Sequence, residues 1–331
     1  MISSMQKRTN IMTLMLVFSV LLLAIKFYAW WITRSNAILT DALESIVNVF
    51  AGAFALFSII YASRPRDIDH PYGHGKIEFV SAGFEGGLIL LAGAGIIFES
   101  IRDMLHPHEL GDVRYGAVLS VVSGACNFGM GYFLVSKGRK QNSMLMKANG
   151  KHLISDSISS AGLVIGLLLI YFTGKHIIDN ILALMFASYI MFTGMKIVRE
   201  SLGGLLDEQD EEQIDRLIHV LNENRRDNWI DMHNLRILKY GTGLHVDAHI
   251  TLPWYLTLEK AHDEVDAVDK LVRKSMGDEM EFFIHADPCL PKSCAICAVK
   301  NCPERKSEFV KRLEWTKENT LPDAKHSLQN N

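Results

Sequence analysis

Up to about residue 200 the chain alternates long apolar runs with short polar breaks; after Asp207 no apolar run is long enough to repeat the pattern. A helix needs about 20 residues to cross a bilayer core. Six stretches reach that length: Ile11–Ile32, Ala37–Tyr61, Phe79–Ile101, Tyr115–Ser136, His152–Phe172 and Ile177–Val198. They predict a polytopic α-helical membrane protein with six transmembrane helices. Further on, helical patterning over Glu211–Asn222 gives way to strand-like alternation at Met232–Lys239 and Gly243–Leu252. A helix at Thr257–Met276 and a strand at Glu281–His285 complete an α-β-β-α-β order. That order predicts an α+β domain, a metallochaperone-like open sheet with two helices on one face. The expected division is a membrane domain at 1–206, a soluble domain at 207–290 and a Cys-containing tail at 291–331.

Basic residues orient the helices. Lys7 and Arg8 precede the first span, Arg64, Arg66 and Lys76 follow the second, and Lys137, Arg139, Lys140, Lys147 and Lys151 lie between the fourth and fifth. The opposite side carries Arg34, Arg102, Arg114 and Lys175. By the positive-inside rule both termini and the soluble domain are expected in the cytoplasm, with the chain integral to a membrane, a bacterial inner membrane being the expected one. The first apolar run is too long for a cleavable leader. The net charge of −3 says nothing about nucleic acid, and no basic patch or phosphate-binding glycine loop argues for it, so no nucleic-acid partner is expected.

Two four-spaced polar pairs interrupt the apolar runs. Glu44 and Asn48 lie in the second span, with Asp41 and Ser45 on the same stripe; His152 and Asp156 open the fifth, with Asn149 and Ser160. Residues four apart project from one helix face. Ionisable groups inside a membrane are expensive and mark an ion or substrate path. Two pairs on two helices offer four ligands, the number a divalent ion such as Zn²⁺ usually takes. Polar side chains also glue helices together in lipid, which accounts for Ser45, Asn48 and Ser160 more readily than for a His and an Asp one turn apart. Lys26 fits a side chain snorkelling toward the headgroups or an inter-helix pair. Glu85, Glu99, Asp179 and Lys196 lie near span ends or could pair with one another.

Two more clusters lie outside the spans. Asp67, His70 and His74 offer three ligands in eight residues of a Pro- and Gly-containing loop. In the soluble domain His245, Asp247 and His249 alternate on one strand face, as do His285 and Asp287, while His233 and His262 come from the first strand and the second helix. Histidines on exposed strands are also common as plain surface residues.

With these residues in view, the chain resembles the cation diffusion facilitator family over about residues 10–290. The resemblance rests on the six spans, the two polar pairs, the loop Asp69–Lys76, Asp179, the strand His233–Arg236, Ala261–His262 and the closing Ile284–Pro288. It implies a homodimeric metal/proton antiporter whose transport site is made by positions 44, 48, 152 and 156. It also implies a loop site at Asp67, His70 and His74, and a cytoplasmic binuclear site at the dimer interface mapping to His233, His249, His262, His285 and Asp287. Zinc carriers of that family usually hold His or Asp at the position of Glu44 and Asp at that of Asn48. Here one carboxylate has become an amide, and Asp41 is a candidate substitute. The expected cargo is Zn²⁺, with Fe²⁺, Co²⁺ and Mn²⁺ open, because affinity order alone does not choose between them.

Four of the five cysteines, Cys289, Cys294, Cys297 and Cys302, form a Cys-x₄-Cys-x₂-Cys-x₄-Cys run. In a reducing compartment such a run points to thiolate metal binding rather than disulfides, and a structural Zn²⁺ cap is expected over a sensor. Cys126 reads as helix packing. The function expected from the whole is secondary active efflux of a divalent transition metal in exchange for protons. His152 is the prime proton-coupling group, since imidazole ordinarily titrates near neutrality. The competing class is a non-transporting membrane metal sensor or assembly scaffold. An enzyme ranks last, because no nucleophile–base pair or nucleotide loop is present.

Overall fold

The computed structural model describes residues 2–33, 36–105, 114–173, 177–241, 243–277 and 280–328. The chain divides into two compact units, Met1–Leu206 and Asp207–Asn331.

The first unit is helical: α1 (Ile2–Thr33), α2 (Asn36–Ala62), α3 (Ile77–Leu105), α4 (Arg114–Lys140), α5 (Met144–Thr173) and α6 (Ile177–Leu205). Among the described residues, Gln6–Tyr28 and Ile77–Arg102 are long and apolar enough to cross a bilayer by themselves. α1 packs chiefly on α2, α3 on α6 and α4 on α5. Small residues permit the closest approach: a Cβ on Gly131 of α4 would lie 2.7 Å from the carbonyl oxygen of Gly150 on α5, and the reverse holds equally. The expected fifth span began at His152, but α5 begins at Met144. The added turns form because Leu145, Met146 and Ala148 are fully buried against neighbouring helices, a gain that a hydropathy window over Lys147 and Lys151 does not register. At one end of the bundle Arg8 pairs with Glu78 at 2.9 Å, and Glu78 also accepts from Ser143 at 2.7 Å.

The second unit has the order α7 (Glu211–Glu223), β1 (Asp231–Tyr240), β2 (Gly243–Leu252), α8 (Leu258–Met276) and β3 (Met280–Pro288). A 3₁₀ turn (Pro291–Ile296) and α9 (Lys317–Thr320) follow. β1 pairs antiparallel with β2, and β2 parallel with β3. Asp210 caps α7 by accepting from the Gln213 amide at 3.0 Å, and Thr257 caps α8. Leu217 and Leu221 of α7 and Val268 and Val272 of α8 share one core with Met232, Ile237, Val246, Ala248 and Ile250, so both helices cover the same sheet face. Alternation sends His245, Asp247, His249, His285 and Asp287 to the other face. The tail packs on this unit. Trp315 joins the core, the Arg225 guanidinium lies 3.9 Å from its ring, and Asn222 exchanges hydrogen bonds with its backbone. The Pro322 carbonyl then accepts from the Asn234 amide at 2.9 Å, beside β1.

Candidate metal centres

Asn48 on α2 stands between the two candidate ligands of α5, His152 and Asp156. Its Oδ1 lies 2.9 Å from His152 Nε2, and its Nδ2 donates to Asp156 Oδ2 at 2.9 Å. His152 and Asp156, one turn apart, approach to 3.6 Å. On the far side of the ring, Glu85 of α3 brings Oε1 within 2.7 Å of His152 Nδ1, an ion-pair contact lying off the hydrogen-bond line. His152 and Glu85 are buried. A carboxylate facing the Nδ1 edge orients the imidazole so that Nε2 presents its lone pair to a metal, a recurring arrangement around ligating histidines. From the sequence Glu85 reads as a charge near a span end or paired with another such charge; its position in α3 carries no signal of a partner on α5. Lys26 donates to Ser45 at 2.8 Å, a buried link between α1 and α2. Asp41 and Glu44 fall on α2, but their side chains, like those of Glu99 and Asp179, lie outside the described residues.

Among the described residues, three groups of potential ligands bring their donor atoms within 4.8 Å of one another. The first is Asp67, His70 and His74, in the turn that follows α2. Asp67 accepts from the His70 amide at 2.7 Å and lies 3.0 Å from its ring, with His74 Nε2 at 3.2 Å. Desolvation pushes the Asp67 carboxyl upward, but the His70 hydrogen bonds and the two imidazoles prevail and hold it below the usual range. Gly73 at φ +87° lets the chain fold back, and His74 is anchored edge-on against Tyr61.

The other two groups share His249. The sheet register sets His233, His249 and His285 side by side across the three strands, with ring centroids 5.2 Å and 4.8 Å apart. His249, His285 and Asp287 form one group; His233, His249 and Asp323 form the other. Asp323 arrives from the tail and was missed, because nothing in a polar terminal segment marks a ligand. Asp287 also pairs with Lys325 at 3.0 Å, and Lys325 together with the nearby histidines offsets desolvation to keep its carboxyl low. Asp231 is held down at about 2: desolvation works against this, and hydrogen bonds from His233 and His326 outweigh it. The expected ligand His262 lies elsewhere, exposed on α8 and 3.7 Å from Asp266. His245 is buried between Asp247 and Glu281, outside both groups.

The four clustered cysteines are free thiols lining a common cavity with Trp254 and Arg305. Burial raises the Cys289 and Cys297 thiols. Their sulfurs do not form a group within the 4.8 Å limit.

Comparison with known proteins covers both units. The family model of the cation efflux transmembrane domain matches residues 12–206, and that of the cation efflux protein cytoplasmic domain matches residues 209–289. An uncharacterized transporter of Synechocystis sp. is 29% identical over 250 residues, spanning 76% of this chain and 81% of its own length. The cation-efflux pump FieF of Salmonella typhi is 28% identical over 273 residues, 81% of this chain and 88% of the relative. FieF of Escherichia fergusonii is 28% identical over 276 residues, 81% and 89% respectively.

Proposed function

Because this chain belongs to the cation diffusion facilitator family of cation-efflux membrane proteins, we propose that it exports a divalent transition metal from the cytoplasm in exchange for protons. Zn²⁺ is the favoured cargo, with Fe²⁺, Co²⁺ and Mn²⁺ as alternatives. The observation that carries this reading is Asn48 on α2 lying within hydrogen-bond distance of both His152 and Asp156 on α5. Ligands drawn from two helices make a site that a relative movement of those helices can open to either side.

Proton coupling follows from the same contacts. His152 ligates through Nε2 only when that nitrogen carries no proton. Between Glu85 and the Asn48–Asp156 pair, the ring has oxygen neighbours at both nitrogens, so a proton on either nitrogen has an acceptor beside it and a cation can take that place. The cargo bound by Asn48, His152, Asp156 and Glu44, or Asp41 in its place, therefore displaces protons, and its release lets them return. Six membrane crossings, cytoplasmic termini in a bacterial inner membrane and a homodimer joined through the second unit complete the proposal. The loop group would take the ion before or after the transport site. The histidine row, with Asp287 and Asp323, would bind regulatory ions.

Metal-driven proton flux in reconstituted vesicles tests this directly. His152→Ala and Asp156→Ala should each abolish it while leaving the protein folded, since each removes one of about four ligands. Retained metal binding without any flux in the unmodified protein would instead favour a sensor or scaffold.

A further inference from the structure

We infer that Cys289, Cys294, Cys297 and Cys302 form a four-thiolate site for one thiophilic divalent ion of the Zn²⁺ type, distinct from the histidine and carboxylate centres. It does not rest on the transport reading. The region matched to the family's cytoplasmic domain ends at residue 289, so three of the four thiols lie beyond it.

The fold builds the site from local parts. β3 ends at Pro288 and delivers Cys289, whose amide donates to the Leu252 carbonyl at 2.8 Å. The 3₁₀ turn Pro291–Ile296 then brings Cys294 and Cys297 round to the same cavity, with the Cys297 amide donating to the Cys294 carbonyl at 3.3 Å. Cys302 closes the ring from the following loop. Arg305 pins this turn by donating to the carbonyls of Cys294 and Cys297, each at 3.1 Å.

A backbone amide is aimed at one of the sulfurs. The Lys306 amide donates to Cys294 Sγ at 3.4 Å. A neutral thiol gains little from such donors, whereas a thiolate bound to a metal gains much, and N–H···S bonds of this kind tune thiolate metal sites. Arg305 lies close enough to offset part of the charge that four thiolates leave on a divalent ion. Zn–S bonds of about 2.3 Å require the sulfurs to draw inward from their present spacing.

The site also has a structural task. Cys297 packs with Ile230, Ile296 and Leu313, and Leu313 belongs to the tail that later presents Asp323 to His233 and His249. An ion at the thiols would tie the residues after β3 to that tail, and so hold Asp323 in place.

Zinc analysis of the full-length protein in detergent, in a Cys126→Ser background and after an EDTA wash, provides the test. One tightly held Zn²⁺ per chain, released on titration with an organomercurial, is expected, together with its loss in Cys294→Ser/Cys297→Ser. His249→Ala should keep that ion. If the double variant fails to fold, Co²⁺ loaded into the parent protein decides, because tetrahedral thiolate ligation produces intense sulfur-to-cobalt charge-transfer absorption. Absence of those bands, an unchanged zinc count in the double variant, or iron with acid-labile sulfide in place of zinc would each overturn the assignment.

Discussion

Asn48 bridges His152 and Asp156, its amide offering an oxygen to the imidazole and an N–H to the carboxylate, both at 2.9 Å. The amide thus links the two groups through one side chain without adding a charge. Asn48→Asp would place two carboxylates at that distance, where they must share a proton or a cation. Metal affinity should rise at neutral pH, with a steeper pH dependence from the additional proton displaced. Titrations of Asn48→Asp and Asp41→Asn at two pH values check this. Unchanged affinity in the first with a large loss in the second would make Asp41 the ligand and Asn48 a bystander.

Glu85 faces His152 from α3, at the distance a positioning residue would take. Glu85→Gln should weaken metal affinity about ten- to hundredfold, the usual scale for an outer partner of a ligating histidine, and displace the pH profile of transport. A variant that merely folds less well would lower the amplitude and leave the profile where it was.

Asp323 completes a three-ligand group with His233 and His249. Asp323→Ala should lower metal affinity at the second unit by about tenfold or more, the loss of a ligand costing at least what an outer partner does. Calorimetric titration of the full chain, with the proposed transport site disabled by Asp156→Ala, would resolve it. Equal affinity with and without Asp323 would leave the tail outside the site.

Asp210 caps α7 and pairs with Lys239 of β1. Desolvation pushes its carboxyl upward, but the Lys239 contact and the Gln213 amide outweigh this and hold it below the ordinary value. A depressed folded pKa means the contribution is complete above the unfolded value, about 3.9, and is lost as pH falls through the folded one. Asp210→Ala should cost about 1 kcal/mol, read as faster hydrogen exchange in the first turns of α7 near neutral pH. The difference from the parent should shrink below about pH 4. Identical exchange at neutral pH would show that the cap contributes nothing.

Much of this protein is written in local periodicity. A spacing of four on a helix is enough to put His152 with Asp156, and strict alternation is enough to put His249 and His285 on faces away from the core. Both follow from backbone geometry within one element. Relations between elements depend on helix rotation, strand register and backbone irregularity, which no single segment encodes. The contact of Glu85 with His152 comes from how α3 lies on α5. A break in register between His233 and Arg236, with Asn234 at φ +51°, lets Met232 and Leu235 both face the core while His233 meets His249. α5 gained its extra turns because buried contacts around Leu145 and Met146 outweigh the polarity of their neighbours. The four cysteines pointed to a shared location by spacing alone, and they line one cavity, yet only the packed tail, through Trp315 and Leu313, brought Asp323 to the histidines. Long-range burial decided that placement, because a polar terminal segment has no periodicity of its own to read.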